Sequence, residues 1–208
     1  PTPTTPRGIT SADVDRAATE KWSREPTWLG LTIVSTEKGG PSDGGGAAEF
    51  IAHPGNLAVI LARYGSDLAT VEAGVLHLVL EECGEHRASL ERKIGAKFGP
   101  VVLAIARDAA EPRYDERGTE RPWRAVKLDM LAHLAVAEPR AIDICVADEI
   151  HASGVTLTAV RRLGSEYVRT VASASSAQTI WWYRSLLELL EERPDWPRTE
   201  MLGELRML

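Results

Sequence analysis

The stretch VLHLVLEECGEH, residues 75–86, sets His77 four residues before Glu81 and Glu82 four residues before His86. On a helix that spacing projects each imidazole and its carboxylate from one face. Such pairs can pass protons as general acid and base, or offer nitrogen and oxygen donors to a first-row divalent ion. Two other segments add donors of the same kind: His53 in IAHP, and Asp148 with His151 in VADEIH. A helical bundle assembles sites in this way, from side chains on facing helices.

The elements that must position these groups are helices. NLAVILARYG ends on a glycine suited to a helix C-terminus, and DLATVEAGVLHLVLEE opens with an aspartate cap and keeps apolar residues at helical spacing. His53 stands just ahead of the first of these. HRASLERKIGAKFG is amphipathic, and PVVLAIARDA is a short apolar helix starting at a proline. RPWRAVKLDMLAHLAV, PRAIDICVADEIHASG and SAQTIWWYRSLLELLEER each join a start signal to an apolar stripe. Strand signals are nearly confined to WLGLTIVST, which leads into the glycine-rich EKGGPSDGGG. The reading is therefore an all-α domain over residues 47–208, preceded over residues 1–46 by an extended arm, a short helix, a strand-like piece and a loop.

Composition narrows the function classes. The chain has 208 residues, 44% of them hydrophobic, enough for one sizeable core. A net charge of -6 gives no footprint for nucleic acid or for an anionic membrane. No apolar run approaches the roughly 20 residues that span a bilayer, so a cytoplasmic location is expected. Cys83 and Cys145 are the only cysteines, which points to reduced thiols serving as small hydrophobes rather than a disulfide framework. The run SDGGG lacks the Gly-Lys-Ser/Thr ending of a phosphate loop.

Over roughly residues 47–192 the sequence resembles the HD-domain phosphohydrolases, and within them the hydrolases of the alarmone guanosine tetraphosphate. EFIAHP looks like the family's His-Pro entry to a helix, and the helix through His77 looks like the carrier of the His-Asp-x-x-Glu-Asp signature. KIGAKFGPVVLAIARDA, VADEIHA and IWWYRSLLELL are similar to later family segments, in the same order. The resemblance implies a compact helical bundle. It also implies a divalent ion, commonly manganese, held by His53, His77, the residue after His77, and Asp148, with Glu81 and Glu82 as the acidic pair assisting water.

The residue after His77 is Leu78, an isobutyl group where a carboxylate is expected. Cys145, Glu149 and Ala152 replace further polar family residues, and no Arg or Lys precedes His53 in SDGGGAAEFIAH. A charge-assisted hydrogen bond is worth roughly 1.5 to 3 kcal/mol, so losing several costs a polyphosphate ligand many orders of magnitude in affinity. Three readings stay open. The leading one is a divergent HD-type hydrolase with a weakened metal site, acting on a small phosphorylated, ester or amide substrate less anionic than an alarmone. The second is a catalytically inactive HD-fold binding or regulatory protein. The third is a metal-independent enzyme using the same carboxylates and histidines as acid and base. His86, His133 and the aromatic run Trp181, Trp182 and Tyr183 read as structural.

Overall fold

In a computed structural model, the described residues are 46–83, 86–166, 169 and 174–208. They form eight α-helices and no strand: α1 (Gly46–Arg63), α2 (Leu68–Glu82), α3 (Arg87–Phe98), α4 (Pro100–Ala109), α5 (Trp123–Leu134), α6 (Pro139–Leu163), α7 (Ser176–Glu191) and α8 (Thr199–Met207). The all-α expectation therefore holds. The arm, helix, strand-like piece and loop expected over residues 1–46 fall, but for Gly46, outside the described residues.

Local chemistry explains most of the boundaries. Asp67 caps α2, its carboxylate accepting the Thr70 N–H at 2.8 Å. Gly65 takes φ +74° after α1, where a side chain would be strained, and the Ser66 N–H returns to the Leu61 carbonyl at 3.0 Å. Pro100 occupies the first turn of α4, where its missing N–H costs nothing. Ser175 and Gln178 satisfy one another's backbone at the start of α7 as a capping box.

Three boundaries differ from the sequence reading. His53 lies inside α1 instead of ahead of it, because the helix runs through Pro54. Proline removes one backbone bond there, but its fixed φ is helical, and Leu57 and Leu61 are wholly buried on the face beyond it. The sixth helix continues through Gly154 to Leu163, where Gly164 at φ +87° ends it. Helix α8 has no counterpart among the expected helices.

The core lies around the first half of α6, where Ala141, Ile142, Ile144, Val146 and Ala147 are fully buried. Helices α1, α2, α4 and α8 all pack against α6. Close approach of α1 and α2 depends on Gly74, since a Cβ there would sit 2.5 Å from Leu61 Cδ1. Beneath α8, the buried carboxylate of Asp143 accepts from Trp196 Nε1 at 2.8 Å, Arg198 at 3.0 Å and Ser66 Oγ at 3.0 Å. This ties the chain's last segment to α6. No helix of the described residues is long and apolar enough to cross a membrane.

Candidate functional site

Helices α1, α2 and α6 bring His53, Glu81 and Asp148 to the lining of one cavity. His53 of α1 and Asp148 of α6 touch, with Nε2 and Oδ1 2.8 Å apart. Both atoms are shut off from solvent, and neither has an aligned hydrogen-bond partner. The edge of the His53 ring meets His151, one turn along α6, at a centroid separation of 4.8 Å.

His77, 2% exposed, occupies the inner part of α2. Its Nδ1 is 2.6 Å from the Gly74 carbonyl oxygen, which makes Nδ1 the N–H and leaves Nε2 as the lone-pair nitrogen of a neutral ring. Burial pushes the His77 pKa down and favours that neutral form, against the opposing pull of Asp148. Nε2 is 3.7 Å from Glu81 Oε1, too far for a hydrogen bond. Glu81 Oε1 instead accepts the Glu111 N–H at 3.0 Å.

The two carboxyls of this wall are driven in opposite directions. Burial, with the negative charges of Glu111 and Asp148, holds Glu81 well above the ordinary carboxylate range. Asp148 is lowered: burial opposes ionisation, but the His53 ring beside it and the Lys127 ammonium favour the carboxylate. Glu81 is thus the carboxyl of the pair that holds its proton more tightly, and Asp148 the one that ionises more readily.

Both line a cavity of about 560 Å³. His53, Leu78, Trp182 and Tyr183 share its walls with them. Glu82 points elsewhere, into an ion pair with Arg113.

Sequence reasoning missed the cations of this cavity. Lys127 of α5 and Arg113, from the segment between α4 and α5, both line it. Lys127 bonds Glu111 and lies 3.3 Å from Glu149 Oε1, which also accepts Trp182 Nε1 at 2.7 Å. These carboxylates raise the Lys127 pKa despite its burial, so it remains an ammonium. The glutamate that stands where the resemblance expects arginine has its countercharge supplied by another helix. Nothing in the spacing of Lys127 signalled this, because a contact between two helices depends on how they pack and not on a repeat within either one.

The donor set falls short of an ion site. His53 and Asp148 offer two donors in contact, His77 is directed at Glu81, and Leu78 presents hydrocarbon where a third oxygen would be needed. Among the described residues no group of three or more His, Cys, Asp or Glu is disposed to hold a metal. The residues present therefore do not fit the manganese site that the resemblance implies. Cys83 and Cys145 are buried, the Cys83 thiol donating to the Leu80 carbonyl at 3.1 Å, and burial pushes the Cys145 thiol well up, away from a thiolate. His133 is structural, its Nε2 2.8 Å from the Asp108 carbonyl oxygen.

No protein-family profile matches the chain. It is 46% identical over 41 residues to UPF0225 protein GSU1048 of Geobacter sulfurreducens, a stretch covering 20% of this chain. The chain spans about a quarter of that relative's length, 26%. Among solved structures it is similar to lmo0812 from Listeria monocytogenes EGD-e, with a TM-score of 0.61 and 20% identity. That likeness covers 74% of this chain and 97% of the other, and at this identity it speaks to the fold alone.

Proposed function

We propose that the cavity is the reacting site of a metal-independent acid–base enzyme acting on a small, non-anionic ester or amide. The observation that carries this reading is the placing of two carboxyls in one cavity, Asp148 2.8 Å from His53 and Glu81 3.7 Å from His77, in surroundings that push Glu81 toward its protonated form and Asp148 toward its ionised form. Two titratable groups pushed apart by their surroundings divide the roles of acid and base between them.

In this reading Asp148, with His53 against it, accepts a proton from water, which adds to the substrate carbonyl. Glu81 delivers a proton to the departing oxygen or nitrogen. His77 stays neutral and packs behind Glu81, adding no charge that would draw off its proton. Lys127 and Arg113 are engaged by Glu111, Glu149 and Glu82, so neither is free to anchor a phosphate. That favours an uncharged substrate over an alarmone. The two buried thiols suit a reducing, cytoplasmic setting.

A panel of uncharged esters and amides tests the proposal. Hydrolysis is expected to survive a chelator and to follow a bell-shaped pH profile. It should fall about 10²-fold or more in Asp148→Asn and in Glu81→Gln. Turnover that needs added manganese and vanishes with chelator would overturn it. The non-catalytic reading finds support in Leu78, which makes this wall partly apolar. Binding without turnover across the panel would select that reading.

A further inference from the structure

Beside the reacting cavity runs a second, larger recess of about 740 Å³ between α1, α6 and the end of the chain. The two adjoin across α6: Val155 and Ala159 line both, and His151 of the outer recess touches His53 of the inner one. The outer recess is apolar in an unusual way. Val59, Val155 and Leu163 line it while remaining 66%, 54% and 58% exposed, and the exposed Leu208 joins them. Large apolar side chains scattered singly over a surface need no explanation, whereas several gathered along one groove do. Arg63 and Glu204, also in the groove, neutralise each other in an ion pair, and Arg162 is exposed to solvent. Gly154 faces open space, with no atom within 4 Å of where a Cβ would stand.

We propose that the substrate carries an unbranched alkyl or acyl chain, and that the groove along α1 and α6 receives this chain while the polar end meets His53 and Asp148. The proposal rests on the cavity being the reacting site, and it commits the groove to the substrate's own tail because the groove adjoins that cavity, with Val155 and Ala159 common to both. Burying a chain removes both its surface and the groove's exposed apolar side chains from water, with about 0.8 kcal/mol gained per methylene, or roughly fourfold in affinity.

The test is a homologous series of N-alkylacetamides, from ethyl to octyl, titrated calorimetrically into the full chain. Affinity is expected to rise about threefold to fourfold per added methylene in the wild type. Gly154→Leu, which puts a side chain into the groove at a helical position with space for it, is expected to flatten the series. Val59→Glu should do the same by charging the opposite wall. A flat series in the wild type, or an unchanged slope in both variants, would overturn the proposal. So would a flat series accompanied by concentration-dependent dimerisation that Gly154→Leu abolishes, since the groove would then belong to a second copy. A steep wild-type slope together with no hydrolysis of the matching alkyl esters supports the groove and sinks only the acid–base reading.

Discussion

The ammonium of Lys127 lies 4.2 Å from the centroid of the Trp182 ring, while the indole N–H of Trp182 donates to Glu149, the carboxylate that also faces Lys127. One aromatic side chain thus shields a buried ion pair and hydrogen-bonds its acid. Removing one partner of a buried pair strands the other charge, at a cost of about 3 to 5 kcal/mol. Lys127→Met is expected to lose that much stability in urea denaturation. Lys127→Met combined with Glu149→Gln should recover part of it, because the stranded charge is gone.

Glu81 makes stability depend on pH. In the unfolded chain it ionises near 4.5, whereas in the native state it keeps its proton to higher pH. Between those values the native state binds more protons, so its contribution to stability, full below the unfolded value, is lost as pH rises through the folded one. Glu81→Gln retains an oxygen for the Glu111 N–H and cannot ionise. Scanning calorimetry should find its Tm above wild type at pH 8 and equal to it at pH 4. A lower Tm at pH 8 would contradict the assignment of Glu81 as the acid.

Metal addition separates Leu78 from its surroundings. Millimolar manganese is expected to leave the wild-type Tm unchanged. Leu78→Asp supplies an oxygen donor beside His53, His77 and Asp148, and its Tm should rise with manganese. An ion present at 100 times its Kd stabilises by about 2.7 kcal/mol. An equal rise in both proteins would show that Leu78 does not limit ion binding.

Asp143 anchors the end of the chain. Asp143→Ala leaves the Trp196 and Arg198 donors without their shared acceptor, and about 3 to 5 kcal/mol of stability should go with it. Protease susceptibility of residues 196–207 should rise at the same time. Unchanged protection there would mean that α8 is held by its apolar contacts alone.

The helices were legible because their signals are local. Asp67, Gly65 and Pro100 act within a turn of their own position, and each marks a boundary where the sequence put it. Pro54 and Gly154 misled because breaker residues are weighed against tertiary packing, and here the packing of Leu57, Leu61 and Ile150 prevailed. That His53 and Asp148 come into contact is consistent with the order of the segments. The roles within the cavity were not legible there: Lys127 and Glu111 reach the cavity from other elements, and their charges help to separate the pair, Glu111 raising Glu81 and Lys127 lowering Asp148.

The most direct measurement is a carbon-13 NMR titration of the side-chain carboxyls, assigned with Glu81→Gln and Asp148→Asn. The expected result is Asp148 ionising below 3.8 while Glu81 holds its proton well above 4.5. Both carboxyls losing their protons together, near the ordinary value of about 4, would contradict the division into acid and base.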